Sequence, residues 1–136
     1  MTAKVLIVED EFLVALELEG ILLDAGHSVI GIAPDSATVG RIPDAPQVAL
    51  VDLNLRDGPS GTAIAQHLSQ VYGTAIIYVT ANPSQIETPA PTAIGVVQKP
   101  FSQHAILAAI AVATGASRTG LPRELDLYAP AGNKSR

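Results

Sequence analysis

The chain of 136 residues contains no cysteine, which removes disulfide frameworks, thiolate zinc sites and thiol nucleophiles from consideration. Basic residues are scarce as well: 8 Lys and Arg stand against 13 Asp and Glu, a formal charge of −5. A nucleic-acid-binding protein draws most of its affinity from cations facing phosphate, so that class is set aside. Long apolar runs are also missing. After Lys4 only Val5 to Val8 precede Glu9 and Asp10, too short a run for a membrane span or the apolar region of a signal peptide. A cytoplasmic protein is expected, with neither nucleic acid nor membrane as partner. His27, His67 and His104 are scattered singly, without ligand spacing, and read as structural.

What the chain does have is the length of one domain with one core. Its charge divides sharply. Residues 1–115 hold 4 basic against 11 acidic side chains, net −7, whereas 116–136 hold 4 basic against 2 acidic, net +2. The expected organisation is a domain over 1–115 followed by a C-terminal tail over 116–136, partly ordered or disordered.

Val5 to Val8 is a short, largely β-branched run that suits a strand buried on both faces of a parallel sheet. Similar runs occur at Val48 to Val51, Ala75 to Val79 and Ile94 to Val97, with a weaker one at Ser28 to Ile32. Helical signals fill the intervals: 11–25 before Gly26, a short stretch from about 35 to 41 before Pro43, 60–72 before Gly73, and 102–114 before Gly115. Strand and helix therefore alternate, the pattern of a doubly wound α/β fold whose ligands sit beyond the carboxyl ends of its strands. The fourth crossover, 83–93, carries Pro89 and Pro91. Each removes an amide donor and disfavours helix in the residue before it, so any helix there is held to one or two turns.

The residues that end the apolar runs carry the chemistry. Glu9 and Asp10 follow the first, Asp52 the third and Thr80 the fourth; Lys99 and Pro100 come just after the fifth. Carboxylates packed this closely raise one another's pKa unless a cation joins them, and an oxygen-only ligand set suits the hard ion Mg²⁺. With such an ion and Lys99 supplying positive charge, a carboxylate can attack a phosphoryl group. A lone Asp at a strand end is commonly a turn or helix cap. The joint arrangement, each residue after its own run, is hard to obtain from capping alone.

The segments Val-Glu-Asp-Glu, Val-Asp-Leu-Asn-Leu, Tyr-Val-Thr-Ala and Gln-Lys-Pro-Phe together resemble the receiver domains of two-component response regulators, over about residues 3 to 115. The loop Asp57-Gly58-Pro59-Ser60-Gly61 is similar to that of receivers served by alphaproteobacterial sensor kinases and of the receiver half of general-stress-response regulators. The resemblance implies a flavodoxin-like fold with a five-stranded parallel sheet in the order 2-1-3-4-5, here with a shortened fourth helix. It implies Asp52 as phosphoacceptor and Mg²⁺ as cofactor, held by Asp10, by Glu9 mainly through water, by Asp52 and by the backbone carbonyl of Asn54. Thr80 and Lys99 would then read the phosphoryl group, and the Lys99–Pro100 peptide would be cis. The implied partner is a sensor histidine kinase or a histidine phosphotransfer protein.

Two positions depart from the family pattern. Val96 stands where most receivers carry a switch aromatic, and the proline-rich crossover shrinks a helix that many receivers use for output. A hydrolase with an aspartyl-phosphate intermediate is the alternative of a different class, but it would be expected to place a second aspartate where Asn54 stands. A pseudo-receiver that only binds partners is disfavoured, because every phosphorylation residue is present. On this reading the protein is a signalling switch rather than an enzyme, and with no room for an effector domain its output is protein contact or a phosphate sink.

In helix 11–25, Val14, Leu18, Ile21, Leu22 and Ala25 follow the 3.6-residue period and are expected to face the sheet. Leu13, Leu16 and Leu23 fall on the roughly opposite face, where a solvated helix carries charge. Single exposed leucines are ordinary, but the family packs its first helix against the kinase, which makes these three a candidate docking face. In the tail, Leu125, Leu127 and Tyr128 are more apolar than a solvated segment requires. That stretch is free to fold back, to cross to a second copy in a homodimer, or to remain disordered; 129–136 reads as disordered.

Overall fold

The computed structural model describes residues 2–129; most of the segment expected to be disordered, 130–136, lies outside them. Five strands run parallel: β1 (Lys4–Val8), β2 (Ser28–Ala33), β3 (Val48–Val51), β4 (Ala75–Thr80) and β5 (Ala93–Gln98). They stand in the order β2-β1-β3-β4-β5, as the family resemblance implies. Helices α1 (Phe12–Asp24), α2 (Ser36–Val39), α3 (Gly61–Tyr72) and α4 (Gln103–Ala113) supply the other layers.

The β-branched strands bury both faces. Val5, Ile7, Leu50 and Ile77 meet α1 and α4 on one side, while Leu6, Ala49, Ile76 and Tyr78 meet α3 on the other. Alternating residues of one strand thus serve two cores, which is why these runs are apolar throughout instead of every second residue. Helix α1 lays Ala15, Leu18, Ile21 and Leu22 on the sheet. Val14 is only half-buried and Ala25 is exposed, so the inward stripe is rotated slightly from the one the periodicity suggests.

The fourth crossover holds one 3-10 turn, Pro83–Gln85, and no α-helix. Pro89 and Pro91 forbid continuation, and the Tyr78 hydroxyl accepts the Ala90 N–H at 3.0 Å, anchoring the segment in an extended path.

A sixth strand, β6 (Leu125–Leu127), pairs antiparallel with β5 and extends the sheet beyond the expected five. Its cause is local. Leu125 is buried with Val97 in the α1/α4 core, where Leu121 and Leu127 also pack, and the Tyr128 N–H donates to the Ile94 carbonyl at 2.9 Å. Gly95 permits this pairing, because a Cβ there would collide with the Asp126 carbonyl oxygen. The apolar residues of the tail therefore fold back on their own chain.

Candidate functional site

The carboxyl ends of β1, β3, β4 and β5 bring the charged residues together. Glu9 lies one residue past β1 and is 2% exposed; Asp52 follows β3 directly and is 8% exposed. Asp10 points outward. One carboxylate oxygen from each of Glu9, Asp10 and Asp52 falls within 4.8 Å of the others. This all-oxygen, all-anionic set fits a small hard cation such as Mg²⁺ and suits no soft metal.

Lys99 enters from beyond β5. Its Nζ donates to Glu9 Oε1 at 2.8 Å and to Asp52 Oδ2 at 3.1 Å. The Lys99–Pro100 peptide is cis. Burial pushes the Glu9 carboxyl above its ordinary pKa even though the bonds to Lys99 and the Glu11 N–H oppose the shift. For Lys99 burial disfavours the charge, but the carboxylates of Glu9 and Asp52 outweigh it and raise the pKa. The ammonium is thus held charged between two acids.

The other oxygen of Asp52, Oδ1, accepts the Leu53 N–H at 2.8 Å, which orients the carboxylate. Gly61, at the start of α3, packs directly against the Asp52–Leu53 backbone: its N–H donates to the Leu53 carbonyl at 3.0 Å, and a Cβ would drive into the Asp52 carbonyl oxygen. Thr80 is wholly buried, and its Oγ1 accepts the Asn82 N–H at 3.0 Å. That bond uses an acceptor lone pair, leaving the hydroxyl proton available to an incoming anion.

Asn54 is exposed two residues beyond Asp52, and its side chain turns toward the 3-10 turn after β4, where Nδ2 donates to Gln85 Oε1 at 2.9 Å. The same loop is fastened on its far side. Arg56 pairs with Asp35 at 2.5 Å, its backbone N–H donates to the Pro34 carbonyl at 3.1 Å, and Asp57 accepts both the Ser60 hydroxyl and the Ser36 N–H. The Arg56 guanidinium, helped by Thr38, holds the Asp35 carboxyl far below the usual carboxylate range.

Glu9, Asp10, Asp52, Asn54, Thr80 and Lys99 all lie at or just beyond the carboxyl ends of strands, yet the supporting residues Asp35, Arg56, Asp57 and Gln85 were not foreseen. Asp57 three residues before Ser60 carried a local signal of a turn. The Arg56–Asp35 and Asn54–Gln85 pairings join segments 21 and 31 residues apart, and nothing in the local pattern marks them.

On α1, Leu13 is 78% exposed, and Leu16 and Leu23 are exposed with it. Phe12, 72% exposed, joins that face at the end nearest the carboxylates. A cavity of about 390 Å³ between α2 and α3, lined by Val39, Ile42, Ile64 and His67, contains none of the candidate residues. Among the described residues no helix is long and apolar enough to cross a membrane.

Comparison with known proteins agrees with this fold. Residues 5–111 match the response regulator receiver domain family. The phyllosphere-induced regulator PhyR of Methylorubrum extorquens is 31% identical over 130 residues, which cover 91% of this chain and 48% of that protein. The receiver domain of the PhyR response regulator from Erythrobacter litoralis, solved by NMR, superposes with a TM-score of 0.74 at 28% identity, covering 89% of this chain and 96% of that one. The crystal structure of the anti-anti-sigma factor PhyR from Bartonella quintana gives a TM-score of 0.70 at 33% identity, over 84% of this chain and 48% of that one. The chain spans about half the length of the curated relative it matches.

Proposed function

Because this chain belongs to the response regulator receiver domain family, we propose that it accepts a phosphoryl group on Asp52 from a sensor histidine kinase or a histidine phosphotransfer protein. The observation that carries this reading is the position of Asp52, whose Oδ2 lies 3.1 Å from Lys99 Nζ and whose carboxylate shares a cluster with Glu9 and Asp10.

In the transfer a carboxylate oxygen of Asp52 attacks phosphorus, the bond from phosphorus to the donor imidazole nitrogen breaks, and the nitrogen keeps the electron pair. Lys99 stands where charge accumulates on the phosphoryl oxygens, and Thr80 has its hydroxyl proton free to donate to one of them. Asp10, Asp52, Glu9 and the Asn54 carbonyl would hold Mg²⁺, which supplies further positive charge to the same oxygens. The Leu53 N–H keeps the Asp52 carboxylate in one orientation, so little rearrangement precedes attack.

The exposed face of Phe12, Leu13, Leu16 and Leu23 runs along α1 from its site end and is the surface that the phosphodonor protein would grip. Phosphorylation adds nearly two negative charges at one point, and in this reading the response is passed on by contact with another protein, in keeping with the similarity to an anti-anti-sigma factor. A phosphate sink is the same chemistry without a downstream contact. A hydrolase reading lacks support at Asn54, whose amide cannot serve as the general acid that such an enzyme needs.

The test is the intact mass of the protein after incubation with acetyl phosphate and Mg²⁺, beside an Asp52→Asn variant and an EDTA control. The expected result is a Mg²⁺-dependent gain of one phosphoryl group that the variant lacks. No gain, together with no binding of fluoroberyllate, would overturn the proposal and leave a partner-binding module.

A further inference from the structure

We propose that Gln85 is a positioning residue for the phosphorylated state, acting through Asn54 to close the cleft between the β3 and β4 loops against water. The proposal rests on Asp52 being the phosphoacceptor. β3 and β4 are neighbours, and their carboxyl ends present Asp52 and Thr80, so a phosphoryl group on Asp52 that Thr80 can reach lies between the two loops that follow. Among the described residues one side-chain pair ties those loops to each other. Asn54 Nδ2 donates to Gln85 Oε1 at 2.9 Å, and Gln85 Nε2 donates back to Asn54 Oδ1 at 3.5 Å.

Both ends of this amide clasp are braced. The Gln85 N–H donates to the Asn82 carbonyl at 3.0 Å, the Ile86 N–H to the Pro83 carbonyl at 3.1 Å, and the Asn82 N–H to Thr80 itself, so the turn that carries Gln85 is coupled to the buried threonine. The Asn54 loop is braced by the Arg56–Asp35 pair and by reciprocal backbone bonds between Leu55 and Gly58. Among the described residues neither amide has any other side-chain hydrogen bond. Two exposed amides that spend their capacity on each other across the mouth of a site restrict its access more than they stabilise the fold.

Loss of the phosphoryl group requires a water oxygen to bond to phosphorus as the bond from phosphorus to the Asp52 oxygen breaks. The carboxylate keeps that electron pair, and the surplus proton leaves with the phosphate product. In-line attack comes from the side opposite Asp52, which is the solvent side that Asn54 and Gln85 span. Breaking the clasp therefore speeds hydrolysis, and it also speeds entry of a small phosphodonor through the same opening.

The test uses the full chain with Gln85→Met, which keeps length and loses both bonds, and Gln85→Glu, which keeps the acceptor of the 2.9 Å bond. After phosphorylation with acetyl phosphate and removal of the donor, intact mass gives the phosphoryl half-life. The expected result is a half-life shortened roughly threefold or more in Gln85→Met, the scale of one hydrogen bond, and close to the parent in Gln85→Glu. In the unphosphorylated protein the Asn54 side-chain amide resonances should move in Gln85→Met. An Asn54 amide that does not respond, or a response with an unchanged half-life, overturns the gate while the phosphoacceptor stands. A parent protein that never gains a phosphoryl group overturns both.

Discussion

Lys99 and Glu9, 90 residues apart in the chain, form the closest ion pair of the site, with Nζ 2.8 Å from Oε1, nearer than the 3.1 Å to Asp52. The ammonium is therefore shared with a buried carboxylate that also belongs to the acidic cluster, and a divalent ion held there would draw on the same carboxylates as Lys99. Replacing Lys99 with Ala should cost about 1–3 kcal/mol in the absence of metal, the scale for a buried polar group left without its partner. Added Mg²⁺ should raise the stability of the variant more than that of the parent, since it repays a larger deficit. Urea unfolding with and without MgCl₂ measures both; equal Mg²⁺ effects in the two proteins would mean that the cation and Lys99 do not share Glu9.

Leu16→Glu tests the exposed face of α1. Leu16 is an exposed helix position away from the core, so stability should stay within about 0.5 kcal/mol of the parent. Transfer from a phosphorylated histidine kinase should fall at least about tenfold, the effect of losing roughly 1.4 kcal/mol of docking energy. Phosphorylation by acetyl phosphate should not change. Loss of both reactions would place Leu16 in the chemistry or the fold instead of the docking surface.

Gly95→Ala tests whether β6 is held by the close approach of the backbones. A Cβ at that position meets the Asp126 carbonyl oxygen, and relieving such overpacking should cost about 1–3 kcal/mol. Hydrogen exchange at the Tyr128 N–H, which donates to the Ile94 carbonyl, should quicken sharply while exchange in β1 and β3 holds.

The pH dependence of stability should carry a signature from His27. Its Nδ1 accepts the Ala3 N–H at 3.1 Å, a bond that only the neutral ring can make, and burial lowers its pKa below 6.5. A depressed folded-state pKa means that the unfolded chain binds the proton more readily. This increment of stability is present above pH 6.5 and is lost as the pH falls through the lower folded value. A His27→Phe variant should show a flatter melting-temperature profile across that interval, measured by thermal unfolding beside the parent.

Much of this molecule could be read along the chain because the elements announce themselves locally. Buried parallel strands are continuous apolar runs, and the residues that end them fall at one edge of the sheet by topology alone. Hence Glu9, Asp10, Asp52 and Lys99 could be named together before any distance was known. β6 was hidden for the opposite reason: three residues with Asp126 at the centre carry almost no strand signal, and its pairing depends on the missing side chain of Gly95, some 30 residues earlier. The Asn54–Gln85 clasp was likewise illegible, since two exposed amides have no periodicity and meet only after β3 and β4 are side by side. In α1 the period located Leu18, Ile21 and Leu22, but it put Val14 where Ala15 is buried and ran on to Ala25, which is exposed.

The antiparallel strand has a consequence for how the protein behaves in company. A parallel sheet ends in an open row of amides and carbonyls that can recruit the next strand that arrives, including one from another molecule. Here the β5 side is terminated by a strand only three residues long with an exposed aspartate at its middle. It offers too few backbone groups, and too much charge, to template a successor. The segment after α4 therefore works as a stopper on the sheet, and a protein cut before it would present the bare β5 edge and should self-associate at concentrations where the parent remains dispersed.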